Sequence, residues 1–134
     1  MIEEIKMDKL VSFSAPVGRL LLALIFVVSG LNKLSGYAGT QAYMQAMGVP
    51  GALLPVVIAL EILGGLAIIL GWKTKVVAFL LAGFSLVTAL IFHSNFADQM
   101  QMIMFMKNVA IAGGFLMLVA QGAGAYSLDN RNNN

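Results

Sequence analysis

The stretch Leu53–Gly71 reads Leu-Leu-Pro-Val-Val-Ile-Ala-Leu-Glu-Ile-Leu-Gly-Gly-Leu-Ala-Ile-Ile-Leu-Gly, 19 residues with a single charge, Glu61, near the middle. At 1.5 Å per residue such a run crosses a hydrocarbon layer of roughly 30 Å as a helix. An ionisable group at that depth costs about 2.5–3.5 kcal/mol on insertion scales, so it faces a protein interior or a wet cavity and has a partner there. The remaining chain has to supply that interior.

It has the composition to do so. The 134 residues are 60% hydrophobic and 10% charged, with a mean hydropathy of +0.90, against about 25% charged residues in a soluble domain. This is the composition of an integral membrane protein of one compact domain. The net charge of +2 is too small, and its lysines and arginines too dispersed along the apolar runs, to indicate nucleic-acid binding. The absence of cysteine excludes disulfides, thiol redox chemistry and cysteine-ligated iron–sulfur clusters built from this chain. The single histidine, His93, excludes bis-histidine haem ligation within one chain. Nine methionines include Met100, Met102, Met104 and Met106. In a helix these four do not share a face, which makes them packing residues and not metal ligands. No metal site is expected.

The sequence predicts an all-α, four-helix membrane bundle. Its spans cover about 17–33, 53–71, 76–93 and 102–121. Met1 to Pro16 carries mixed charges and reads as a short cytoplasmic tail or interfacial helix. Between the first two spans, Thr40 is expected to N-cap a short amphipathic helix closed by Gly48, with Tyr37 and Tyr43 at the membrane–water interface. Short connections make the bundle up-down-up-down. Lys6, Lys9, Arg19, Lys73, Lys75 and Arg131 fall on one side and only Lys33 and Lys107 on the other. The positive-inside rule then puts both termini in the cytoplasm. Asn130–Asn134 is expected to be disordered.

Helical spacing sorts the polar residues onto stripes. Arg19, Ala23, Phe26, Gly30 and Lys33 share a face of the first span. Glu61, Gly64, Gly65 and Ile68 share one on the second, where glycines allow a neighbouring helix to approach closely. Ala78, Ala82, Ala89 and His93 mark the third, and Lys107, Ala110, Gly114 and Gln121 the fourth, with Asn108 beside Lys107. If these stripes face inward, Lys33, His93, Lys107 and Asn108 meet above Glu61 in an outward-opening pocket. Arg19 and Gln121 lie on the same stripes at the opposite end. Each residue also has a plainer reading. Glu61 forms a structural ion pair with Lys33 or Lys107, the lysines and Arg19 snorkel to headgroups, His93 caps its helix, and Asn108 ties helices together.

Taken together, Gly18-Arg19, Gly30-x-x-Lys33, Leu60-Glu61-x-x-Gly64-Gly65, Phe92-His93, Lys107-Asn108 and the closing Gly-Ala-Tyr-Ser-Leu-Asp at Gly124–Asp129 resemble the DoxX family of small bacterial membrane proteins. The resemblance spans about Val17 to Asp129. It implies a four-helix bundle in the bacterial inner membrane. Some relatives are named as subunits of a thiosulfate:quinone oxidoreductase or associate with membrane redox complexes. The leading expectation is a subunit or accessory of a quinone-linked membrane oxidoreductase. A bound quinone would be held by Lys33, His93, Lys107 or Asn108, and Glu61 would exchange protons. The alternatives are a small-molecule binder or transporter, which needs a homodimer and a path continued by Arg19, and a scaffold that docks a soluble redox partner.

Overall fold

The computed structural model describes residues 1–133; Asn134, included above in the disordered tail, lies outside the described residues. All regular structure among the described residues is helical. Five α-helices follow in order: α1 (Ile2–Ser35), α2 (Tyr37–Ala46), α3 (Leu54–Leu70), α4 (Thr74–Phe92) and α5 (Gln99–Gln121). Short 3₁₀ turns at Gly51–Leu53 and Leu128–Asn133 complete the chain. Helices α1, α4, α5 and the stretch Gly51–Leu70 are long and apolar enough to cross a membrane.

The expected spans all form, but α1 starts much earlier than residue 17. It runs 34 residues straight through Pro16, about 51 Å of helix. Its first turns hold good helix formers, with Glu3 and Glu4 at the positive end of the dipole. Pro16 removes one backbone hydrogen bond, and a tertiary dock nearby holds the helix together: Phe13 stacks on Tyr126 with ring centroids 5.5 Å apart.

Helix α2 also starts before the expected position. Its N-cap is Gly36, and Thr40 lies inside the helix with its hydroxyl donating to the Gly36 carbonyl at 2.9 Å. The helix does close at Gly48, where the Val49 amide returns to the Met44 carbonyl at 2.8 Å. Met44 is buried against Leu54 and Ile58, which anchors α2 across the start of α3.

Helix α1 packs chiefly on α3, and α4 on α5. The α1–α3 seam depends on Gly65. A Cβ there would stand 2.7 Å from Val27 Cγ2 and 3.3 Å from the Ala23 carbonyl oxygen. The two helix pairs meet through a core of Ala23, Phe26, Ile68, Leu81, Ala82 and Phe115. Phe26 sits edge-on to Phe115 at 5.4 Å and tilted against Phe84 at 6.5 Å. The predicted inward stripes of α1, α3 and α4 are buried except at Lys33 and His93, which are half-buried at one end. That of α5 is not. Its buried residues are Ala112 and Phe115, while Ala110 and Gln121 are exposed.

The C-terminal segment carries the 3₁₀ turn over Leu128–Asn133. It folds back on the far end of the bundle. Gly71 ends α3 at φ +70°, a left-handed conformation that favours glycine. Asp129 then caps α4 from 55 residues away. Its carboxylate accepts from the Lys73 amide at 2.7 Å and the Thr74 amide at 2.9 Å. Its own amide donates to the Gly71 carbonyl at 2.9 Å. Burial raises the Asp129 carboxyl, but the two amides and the Arg19 charge outweigh it and hold the group below the usual carboxylate range.

Candidate functional site

Lys33 stands in the last turn of α1. One turn earlier, Ser29 accepts a hydrogen bond from its ammonium at 2.8 Å. The same ammonium meets Glu61 Oε1 at 2.8 Å. Glu61 is seven residues into α3, about 10 Å from the helix start, and its side chain is 2% exposed against 27% for Lys33. The second carboxylate oxygen, Oε2, is buried with no hydrogen-bond partner.

The other wall comes from α4 and α5. Asn108 donates its side-chain amide to the Ser85 carbonyl at 3.3 Å and to Thr88 Oγ1 at 3.1 Å, tying α5 to α4. The Thr88 hydroxyl donates to the same Ser85 carbonyl at 3.1 Å, so that carbonyl accepts twice and the Thr88 oxygen keeps a lone pair for Asn108, while the Ser85 hydroxyl donates back to the Leu81 carbonyl at 2.8 Å. His93 follows the end of α4, its amide on the Ala89 carbonyl and its Nδ1 3.3 Å from Gln101 Oε1. Helix α5 itself begins on Asp98, whose carboxylate accepts from the Met100 amide at 3.0 Å. Lys107, on the α5 wall, has only the Met104 sulfur at 3.8 Å as a hydrogen-bond partner among the described residues.

Lys33, Glu61, His93, Lys107 and Asn108 all line one cavity of roughly 450 Å³. It lies between the α1–α3 and α4–α5 pairs. Helix α2 contributes Thr40, Tyr43 and Met44, and Tyr43 stacks on Phe92 at 5.4 Å to close the corner between α2 and α4. Phe26 and Phe84 line the lower end. Both the volume and the make-up, apolar and aromatic walls with a few convergent polar groups, are those of a small-molecule site.

Arg19 does not join this cavity. It is 1% exposed at the opposite end of the bundle. Its guanidinium donates to the carbonyls of Ile68 at 3.1 Å, Ile69 at 3.0 Å and Tyr126 at 2.5 Å. It is therefore neither a ligand of the cavity nor a snorkelling anchor: Nη1 and Nη2 are engaged by the end of α3 and the returning tail, and Nε is buried with no hydrogen-bond partner among the described residues. Gln121 is exposed and does not extend the cavity either.

The sequence reading missed Ser29, Ser85 and Thr88 in the cavity wall. Ser29 was within reach of it, one helical turn before Lys33 on the same face. The other two carry no such mark, since a hydroxyl in an apolar helix usually serves its own backbone.

The DoxX family model matches residues 15–94, more than half of the chain. The chain belongs to the DoxX family. It is 54% identical over 123 residues to the inner membrane protein YqjF of Escherichia coli (strain K12), covering 92% of this chain and 95% of that protein. The inner membrane protein YphA of the same organism is 39% identical over 122 residues, 86% of this chain and 87% of that one. A third relative, "Putative oxidoreductase CatD" of Bacillus subtilis (strain 168), is 34% identical over 64 residues, 48% of each chain. No solved structure matches. With its four apolar helices and these relatives, this DoxX-family chain is a multi-pass inner-membrane protein.

Proposed function

We propose that this DoxX-family protein is a subunit or accessory of a quinone-linked membrane oxidoreductase, and that its cavity holds the quinone headgroup. The observation that carries the reading is the convergence of Lys33, Glu61, His93, Lys107 and Asn108 on a single cavity of roughly 450 Å³ inside an otherwise apolar bundle. Ionisable groups within a membrane are rare and cluster at functional sites. The fit to a planar ring bearing oxygens rests on Phe26, Phe84 and Phe92 along the walls and on the unpartnered Oε2 of Glu61. The name of CatD points the same way.

When bound, a quinone supplies two-electron, two-proton chemistry. Lys33, Lys107 and His93 present donors to its oxygens. Asn108, fixed by Ser85 and Thr88, sets the position of the α5 wall. Glu61 exchanges a proton at its carboxylate, with Lys33 as its ion-pair partner at 2.8 Å. With no cysteine and one histidine in the chain, electrons arrive from a partner protein or from the substrate itself. The headgroup pocket faces away from the cytoplasm, with both termini cytoplasmic, by the lysine and arginine distribution.

The transporter reading is disfavoured because Arg19 and Gln121 do not carry a polar path past the cavity. The scaffold reading predicts wild-type behaviour from an expressed Lys33, Glu61 and Lys107 triple substitution.

The test is purification in nanodiscs, with mass spectrometry and ultraviolet absorbance of what is retained. Wild-type protein is expected to carry quinone. Ile91→Trp, which fills the cavity from a partly buried wall position, is expected to lose it while keeping helical content. Quinone absent from folded wild type, or held equally by Ile91→Trp, overturns the proposal.

A further inference from the structure

We infer that the cavity is built for a ligand carrying one negative charge, and that Lys107 is the residue that selects it. The inference rests on the cavity being the binding site proposed above, and it specifies the class of molecule that site prefers.

It follows from the charges in the wall. Lys33 and Glu61 neutralise one another at 2.8 Å. His93 is turned to Gln101 and brings no negative charge. Asn108 is neutral, and its donors are taken by Ser85 and Thr88. Lys107 is left over. Among the described residues the Lys33–Glu61 pair is the one ion pair, and the only hydrogen-bond partner of the Lys107 ammonium is a thioether, a weak acceptor. The cavity wall thus carries a net charge of about +1 beside apolar and aromatic surface.

An ammonium whose one partner is a thioether gains a charge-assisted hydrogen bond from an oxyanion placed against it. Lys33 competes weakly for that oxyanion, because Glu61 already neutralises its charge and Glu61 and Ser29 take two of its three donors. A neutral quinone leaves the Lys107 charge uncompensated. An aromatic monoanion of the same size compensates it and keeps the same ring contacts. A dianion reverses the imbalance. The preferred class is therefore an aromatic or quinonoid monoanion, such as an ionised hydroxyquinone or an aryl carboxylate.

The experiment compares two rings of nearly equal size in nanodiscs of uncharged lipid at pH 7.5. One is 2-hydroxy-1,4-naphthoquinone, which is ionised at that pH, and the other is neutral 1,4-naphthoquinone. Equilibrium dialysis against wild type, Lys107→Met and Lys107→Arg, corrected with empty nanodiscs, gives the anion-to-neutral affinity ratio. Wild type is expected to favour the anion at least tenfold. The ratio is expected to fall to about one in Lys107→Met and to recover in Lys107→Arg, which separates charge selection from misfolding. Equal binding of both rings by wild type, or a preference surviving in Lys107→Met, overturns this inference and leaves the quinone reading standing. Binding of neither ring by folded wild type overturns both.

Discussion

The Lys33–Glu61 pair is lopsided, and that gives a quantitative forecast. Lys33 is 27% exposed and keeps the Ser29 hydroxyl when Glu61 is lost, whereas Glu61 is 2% exposed and has no other partner among the described residues. Removing one member of a buried pair costs about 3–5 kcal/mol when the survivor stays buried and charged. Lys33→Met leaves Glu61 in that condition, so its expected cost is about 3–5 kcal/mol. Glu61→Gln leaves a lysine that has a hydroxyl partner and a route toward solvent, and retains an amide oxygen where Oε1 stood. Its expected cost is about 1 kcal/mol, the net worth of a single hydrogen bond. The double variant has no buried charge left and should sit about 2–3 kcal/mol above the sum of the singles. Reversible unfolding in mixed micelles with rising dodecyl sulfate, followed by circular dichroism at pH 7, measures all four proteins. Equal costs for the two single variants, or additivity within about 0.5 kcal/mol, would refute the reasoning.

Three further outcomes are expected. Arg19→Met leaves the Ile69 and Tyr126 carbonyls without their donor, at about 1–3 kcal/mol each. It should release the C-terminal segment, so a cysteine placed at Ser127 in this cysteine-free chain will be alkylated faster than in the Arg19 background. Because the Asp129 carboxyl is held below its unfolded value, it contributes stability above about pH 4 that is lost as pH falls through its folded value. Thermal unfolding from pH 7 to pH 3 should show that extra fall in wild type and not in Asp129→Asn. Gly65→Val brings a Cβ within 2.7 Å of Val27 and 3.3 Å of the Ala23 carbonyl, and should destabilise the α1–α3 pair by about 1–3 kcal/mol, read in the same micelle assay. A neutral result would mean the helices separate freely at that seam.

What the sequence made legible follows from how each residue is recognised. On α1 and α3 the charges stand among small residues at helical spacing, and both stripes are buried as expected up to the half-buried Lys33. Local spacing thus led to Lys33 and Glu61. Helix α5 is apolar on nearly every face, so periodicity cannot choose the side that packs, and the inward face proved to be Asn108, Ala112 and Phe115 rather than Ala110 and Gln121. Arg19 was misjudged for a different reason. Its acceptors lie 49, 50 and 107 residues away, and no short-range pattern reports them. The same distance hid Asp129, which looks like tail polarity until the segment folds back on the start of α4. Pro16 shows the limit of a local breaker: one lost hydrogen bond does not end a helix that good helix formers precede and Tyr126 braces from outside.

The ring cluster of Phe26, Phe84 and Phe115 closes the bundle beneath the cavity, and Arg19 with the returning tail seals what remains. On the proposed reading the cavity is therefore a blind well. On that reading a space of roughly 450 Å³ would seat one occupant at a time, and each would depart on the Lys33–Lys107 side before the next arrives. Two molecules that exchange anything through this site do so in turn. Each competes with the other for the same seat, and the well must keep the change made by the first until the second takes its place.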